Sequence, residues 1–366
     1  MPAVAASTGV FMRILIIKTS SLGDIIHALP VLEYLRQVEP TASIDWVVDE
    51  AFVDLVSGNP LINRVLLVAF RSWKKAPFSW HTWQEIVSLI KSLRQERYDL
   101  IFDLQGNLKS GLVCAFGRAP VKVGFSKANQ QECLNGFFTN RKVNFLPSDK
   151  NAVQRYLRIV SNSFSIPLES FEPSSDIYTS PDDNACAQQM IGAVKGRPLI
   201  LFHNGTTWAT KLWHAEGWKQ LAGTLLLRYK QAVILLSWGN AEEHALAEEI
   251  AGHIGSRAVV LGKMSLKQFV AVLKRVNLVV GGDTGPIHLA AAVGTPTVSF
   301  YRCTDGSLNG PLGSHHIVVQ SPLSCTKCLR KSCEKDDECR HSISVDAMMD
   351  AVLTVMRKGR NKDSAE

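Results

Sequence analysis

Two turns carry the residues best suited to chemistry. In KTSSLGDII, residues 18–26, an apolar run ends in hydroxyls, a glycine and Asp24 where a helical repeat begins. In GGDTGPIHLAAAVG, residues 281–294, an apolar run ends in glycines and Asp283 before Pro286 opens a second helical stretch. A carboxylate on such a turn can take a proton from a bound hydroxyl. It can equally cap the helix or favour its positive end, and either role accounts for an isolated Asp24 or Asp283. Gly281, Gly282 and Gly285 let a ligand approach the backbone closely, and the free N–H groups of a helix starting at Pro286 attract phosphate. Between the two turns, HNGTTWATKLWHAEGW (203–218) offers Thr206, Thr207 and Lys211, which suit an anionic group or a solvated polar loop.

A third segment, RSWKKAPFSWHTW (71–83), interleaves Arg71, Lys74 and Lys75 with Trp73, Phe78, Trp80 and Trp83. Cations beside aromatics form a landing surface for a molecule with phosphates or carboxylates next to acyl chains, although packed aromatics under a solvated loop give the same pattern. A fourth, CTKCLRKSCEKDDEC (325–339), places Cys325, Cys328, Cys333 and Cys339 at spacings x2, x4 and x5, with His341 close behind. These four thiols admit two readings, a closed structural zinc site or reduced cysteines on a loop, and neither is part of a catalytic assembly.

Motifs that fail are informative too. GNLKSG lacks the GK[ST] ending of a phosphate-binding loop, and no GxGxxG follows a strand, which removes support for a nucleotide hydrolase or a common nicotinamide dehydrogenase. There is no D-x-D, so a sugar-nucleotide enzyme built on this chain is expected to hold diphosphate with a helix end, hydroxyls and lysine, needing no cofactor or divalent metal for catalysis.

The elements that must position these residues alternate. RILIIK (13–18), SIDWVV (43–48), NRVLLVAF (63–70), DLIFDLQ (99–105) and VKVGF (121–125) read as strands separated by helical periods. After the Pro, Ser and Asp-rich stretch 165–184 the alternation restarts with PLILFHNG (198–205), AVILLSWG (232–239), AVVLG (258–262), NLVVGGD (277–283) and PTVSFY (296–301). The spacing predicts an α/β chain with a first domain over 1–175, a second over 176–343, and residues 344–366 as a final amphipathic helix plus a disordered tail after Gly359.

Composition bounds the function. The 366 residues carry 40 Lys and Arg against 33 Asp and Glu, a net charge of +7, with 46% hydrophobic residues. That excludes a disordered chain, and no run of about 20 apolar residues suggests a transmembrane helix. The basic excess is spread rather than striped, which argues against nucleic acid as partner and suits anionic small ligands or an anionic membrane surface. Eight cysteines without a recognisable secretory start suit a reducing cytoplasm. Residues 1–11 carry no signal.

The stretches KTSSLGDIIHALPVLEYLRQVEP, IDWVVDEAFVDLV, AFRSWKK, DLQGNLKSG and GGDTGPIHLAAAVGTPTVSFY, in this order, resemble glycosyltransferase family 9. The resemblance implies the GT-B architecture, two Rossmann-like domains with a cleft between them and the final helix over 344–366 packing back toward the first, and an inverting transfer of heptose from ADP-heptose. The implied acceptor is a Kdo residue of the lipid A type, at the cytoplasmic face of the inner membrane, where the protein is peripheral. Carried over residue by residue, Asp24 is the general base, with Ser21 and Gly23 of its turn, Arg71, Lys74, Lys75 and Lys109 on the acceptor side. Thr206, Thr207, Lys211, Asp283, Thr284, Gly285 and His288 would bind the donor, with Glu242 or Glu243 taking the ribose hydroxyls. The chain departs from the family at YRCTDG, where Arg302 and Cys303 enter a loop expected to border the nucleotide. Other readings from different classes are a sugar-nucleotide epimerase, a heptosyltransferase for another core sugar, and a nucleotide-sugar binder without turnover.

Overall fold

A computed structural model describes residues 11–363 apart from 167, 169, 170 and 195, so the expectations for residues 1–10 and for the last three residues lie outside the described residues. The chain divides after Tyr178 into two compact units, compared with the boundary near residue 175 expected from composition.

The first unit holds six parallel strands, β1 (Arg13–Ile17), β2 (Ser43–Asp49), β3 (Arg64–Val68), β4 (Leu100–Asp103), β5 (Val121–Phe125) and β6 (Arg141–Val143), ordered β3-β2-β1-β4-β5-β6. The second repeats the arrangement with β7 (Leu199–His203), β8 (Val233–Ser237), β9 (Ala258–Val260), β10 (Leu278–Gly282), β11 (Thr297–Tyr301) and β12 (His316–Gln320), ordered β12-β11-β10-β7-β8-β9. Both orders are those of a Rossmann sheet. The order reverses between β1 and β4 in one unit and between β7 and β10 in the other, and the crevice beyond the carboxyl ends of those strands is where such sheets bind ligands.

Burial explains why these runs become strands. Ile14, Leu15, Ile16 and Ile17 of β1, all of β4, and β7, β8, β10 and β11 along their whole length are buried, as expected of parallel strands covered on both faces. The edge strands β3, β6, β9 and β12 are half-exposed along much of their length. β6 and β12 were not apparent in the sequence pattern, one because it spans three residues and the other because its apolar core is only three residues long between polar ends.

Two segments differ from their expected form. Within the stretch read as linker, Pro181–Ile191 is a helix: Ser180 caps it, the Asp183 amide donates to Ser180 Oγ (3.1 Å), and the Ser180 amide donates to Asp183 Oδ2 (2.8 Å). Ser-Pro-Asp-Asp is thus a helix start, with proline at the first position and a reciprocal cap. The last helix runs Val345–Asp363, past the tail expected after Gly359. Met348, Ala351, Val352 and Val355 enter the core of the second unit, where the helix packs on Ala215–Arg228, β11 and β12. Its apolar stripe is therefore used in the core of the second unit.

Candidate active site

In the first unit β1 is followed by Lys18, whose carbonyl accepts from the indole of fully buried Trp46 (3.1 Å) and whose amide donates to the Val47 carbonyl (3.2 Å). The chain then turns into the helix Leu22–Ala28. Asp24, in its first turn, accepts at Oδ2 from the Ser21 amide (3.1 Å) and hydroxyl (2.8 Å). Tyr156, delivered by the helix Ala152–Ser161 that packs on Leu22–Ala28, donates its hydroxyl to Asp24 Oδ1 at 3.4 Å. Burial pushes the Asp24 carboxyl up, but the Lys18 ammonium, the two Ser21 donors and His27 outweigh it, and its pKa lies below the ordinary value. Asp24 is thus a half-buried carboxylate that stays charged and keeps lone pairs for a ligand.

The neighbouring turn after β4 locks this one in place. Gln105 Oε1 accepts from the amides of Thr19 (3.2 Å) and Ser20 (3.0 Å), tying the two loops together across the point of strand reversal. Asp103, fully buried, accepts from the amides of Gln105 (3.0 Å) and Gly106 (3.1 Å), from Ser110 Oγ (3.0 Å) and from Asn135 Nδ2 (2.6 Å). Neither Gln105 nor Asp103 stood out beforehand, although both lie in DLQGNLKSG; an acid and an amide closing a strand read as ordinary loop polarity.

The basic segment is a helix, Phe70–Lys75, followed by the helix Trp80–Gln95. Phe70 and Trp73, three residues apart, pack against the core, and the Trp73 indole donates to Glu85 (2.9 Å). This leaves Arg71, Lys74 and Lys75 facing outward. Lys109 sits with its ammonium 5.3 Å from the Phe70 ring, so the structure brings it to the same surface. Phe78 is 93% exposed, Trp80 75% and Trp83 53%, whereas Trp73 packs against the core.

In the second unit Asp283 follows β10 and is buried. Its Oδ2 accepts from Lys211 Nζ (2.8 Å) and its Oδ1 lies 3.2 Å from His288 Nε2. Burial alone would raise the Asp283 pKa, yet His288 and then Lys211 hold it far below the usual carboxylate range. Lys211 also lies 4.9 Å from the Trp208 ring. A side chain at Gly282 would come within 3.0 Å of the Lys211 carbonyl, so glycine there lets the end of β10 and the Lys211 turn meet. Thr284 precedes the helix Gly285–Ala292, which has proline in its first turn. Thr206 is half-buried and Thr207 exposed on the same loop as Lys211.

Of the two acids after β8, Glu243 points back to that loop. Its Oε2 accepts from the Gly239 amide (2.7 Å), and its carboxyl occupies the space a side chain at Gly205 would need, 2.1 Å away. Glu242 is exposed on the first turn of the helix Ala241–Ile254. His203, ending β7, is a buried residue whose Nδ1 lies 3.0 Å from Ser237 Oγ, and burial brings its pKa down to about 4.

Arg302 does not stand open to a ligand. Its guanidinium is buried, bonding to the Leu212 carbonyl and to Asp336 at both the carbonyl and Oδ1 (2.7 Å each). It pins the cysteine loop onto the Lys211 turn, together with bonds from Lys327 N to Arg302 O (3.2 Å), Leu329 N to Cys303 O (2.8 Å) and Thr210 Oγ1 to Arg330 O (2.7 Å). Cys325, Cys328, Cys333 and Cys339 line, with Cys303, a cavity of about 900 Å³. All four are free thiols, and among the described residues no three His, Cys, Asp or Glu side chains are grouped where they could hold a metal ion. The donor chemistry suits zinc but the geometry does not gather it, because backbone and arginine bonds shape the loop instead. His341 stacks on His214, ring centroids 4.3 Å apart.

Comparison with known proteins is consistent with this geometry. The family model described as glycosyltransferase family 9 (heptosyltransferase) matches residues 86–338. The chain is 33% identical over 328 residues to lipopolysaccharide heptosyltransferase 1 of Pseudomonas aeruginosa, covering 88% of this chain and 87% of that one. Among solved structures, it is similar to the E. coli heptosyltransferase WaaC with ADP (TM-score 0.77, 30% identity, 93% of this chain and 99% of that one). The same enzyme with ADP-2-deoxy-2-fluoro heptose gives a TM-score of 0.75 at 30% identity, with the same coverage.

Proposed function

This chain belongs to glycosyltransferase family 9, and from that premise we propose how its residues divide the work of heptose transfer. The protein is a glycosyltransferase of GT-B fold that moves heptose from ADP-heptose in building the inner core of lipopolysaccharide. The acceptor in this reading is a Kdo residue of a lipid A precursor. Its hydroxyl oxygen attacks the anomeric carbon as Asp24 takes the proton, the bond to the diphosphate oxygen breaks on the opposite face, and ADP leaves. The configuration at the anomeric carbon inverts.

Charge building on departing ADP is met by Lys211, by the hydroxyls of Thr206 and Thr207 and by the N–H groups opening the helix Gly285–Ala292. Asp283 orients the Lys211 ammonium through its 2.8 Å bond, and His288 holds the other oxygen of the same carboxylate. Thr284 and Gly285 complete the wall, and Glu242 is assigned to the ribose. Ser21 and Gly23 shape the turn at Asp24, while Arg71, Lys74, Lys75 and Lys109 take the acceptor's anionic groups. In this reading the enzyme works at the cytoplasmic face of the inner membrane, to which Phe78, Trp80 and Trp83 attach it. Among the described residues no helix is long and apolar enough to cross a membrane.

The observation that carries the reading is the placement of Asp24 on the turn after β1 of one sheet and of Asp283 directly after β10 of the other, each following a strand where the order reverses. An epimerase would need an acid and a base around one sugar, and Asp283 is already engaged by two partners. Product analysis with ADP-heptose and Kdo-lipid A tests the proposal. A new heptosyl-Kdo linkage of inverted anomeric configuration is expected; free epimerised sugar nucleotide, or binding without product, would overturn it.

A further inference from the structure

Among the described residues, Lys18 is an anomaly that the transfer reaction leaves unused. Its side chain is completely buried, and its ammonium makes no hydrogen bond. What surrounds it is the Tyr156 ring, 4.8 Å from Nζ, and the fields of Asp24 and Asp103. A buried, unbonded charge is destabilising, and an apolar side chain of the same length would fill the space more favourably. Packing therefore does not explain a lysine at this position.

Tyr156 links the charge to the site. It is buried, its ring lies against Lys18 and its hydroxyl reaches Asp24 Oδ1 at 3.4 Å, while Ser21 holds Oδ2. The Asp24 carboxylate is thus bracketed by hydrogen bonds on both oxygens, and the ammonium that acts on it is itself buried from solvent. Resting on the reading of Asp24 as base, we propose that Lys18 is its positioning residue: held by Trp46 and Tyr156, it keeps Asp24 ionised and aimed before acceptor binds.

The charged groups on the elements packed around Asp24 do not duplicate this. His27 lies on the same helix, Arg155 on Ala152–Ser161 lies over the Phe145 ring, and the turn Glu50–Leu55, which packs on Leu22–Ala28, carries the acids Glu50 and Asp54. Lys18 lowers the Asp24 pKa more than either Ser21 bond or His27 does. Asp103 in turn favours the charged form of Lys18.

The test is the pH profile of kcat/KM for Lys18→Met. Removal of a buried opposite charge should move the acid limb up by about one pH unit or more, with ADP affinity unchanged. A limb that stays in place, with only a uniform loss of rate, overturns the proposal. Lys18→Gln serves if the methionine variant does not fold. Independently of any variant, the carboxyl carbon of Asp24 followed by ¹³C NMR in the wild-type protein should show a second inflection where Lys18 loses its proton, near pH 8; no response there also overturns it. Asp24→Ala separates this from the reading beneath it. If that variant keeps turnover, the base assignment falls; if it is inactive while the Lys18→Met limb is unmoved, the Lys18 proposal alone falls.

Discussion

A carboxylate is a useful base only if it is charged when substrate arrives and has a lone pair left to accept. As the proposed base, Asp24 is kept charged by Lys18 and Ser21, and Tyr156 at 3.4 Å leaves a lone pair on Oδ1. Asp24→Ala is expected to lower turnover by about 100-fold or more, with little change in ADP affinity by calorimetry, because the donor contacts lie in the other unit. Lys211→Met should do the reverse, weakening ADP binding by about tenfold or more while the acid limb of the pH profile stays in place, since the cation and its Asp283 partner are distant in function from the base. Lys18 predicts a stability signature as well. Burial brings its pKa from an ordinary 10.5 down to about 8. Between those values the unfolded chain holds a proton that the folded chain lacks, so stability rises with pH through this window and the gain is lost as pH falls through 8. Chemical denaturation across pH 7.5 to about 10.5 should show this rise in wild type and a flatter curve in Lys18→Met. At this scale the sequence pattern reveals acids, because an Asp after an apolar run and a small residue is conspicuous. Lys18 and Gln105 are invisible in it, since a lysine or amide closing a strand reads as solvated until the fold buries it.

At the scale of elements, ten of the twelve strands are legible as short apolar runs between helical periods, because parallel strands buried on both faces need near-continuous apolar residues. The edges β6 and β12 lack that signature, and the helix Pro181–Ile191 hides behind turn-forming residues that are in fact its cap. The cysteine loop shows the converse: its spacing suggests metal ligands, but the Arg302 and Asp336 contacts organise the chain first. In the proposed donor site, the N-terminus of the helix Gly285–Ala292 and Lys211 give the leaving diphosphate a positive environment made of protein. Heptosyl transfer should therefore survive excess EDTA; loss of activity restored by magnesium or manganese would show that the donor site is wrongly drawn. The helix Val345–Asp363 makes a stability prediction. Ending the chain before Ser344 strips Met348, Ala351, Val352 and Val355 from the core, and the second unit should lose its cooperative melting transition in calorimetry.

At the scale of the whole molecule, two sheets of the same order, each with its own core, are what the restart of alternation after residue 184 implies, and the sites follow from that order. The proposed meeting place with the acceptor follows from a different property, the surface left over when each core is closed. Phe78, Trp80 and Trp83 remain largely exposed in a stretch that also presents Arg71, Lys74 and Lys75. Burying such rings in an interface gains roughly 25 cal/mol per Å² of apolar area, and each cation near an anionic leaflet adds about 1 kcal/mol. The two contributions respond differently to salt, since only the second is screened. The protein is expected to sediment with vesicles containing phosphatidylglycerol and much less with purely zwitterionic ones. Raising salt should weaken the first interaction without abolishing it, because the aromatic contribution persists. Replacing Phe78, Trp80 and Trp83 together by serine should remove the salt-resistant part, and replacing Lys74 and Lys75 by glutamine the salt-sensitive part. Neither set should alter transfer to a short, water-soluble Kdo acceptor by as much as it alters transfer to acceptor in vesicles, if the aromatics serve attachment. Equal losses on both acceptors would place these aromatics in sugar binding instead, and no binding to anionic vesicles would leave them without a role at the membrane.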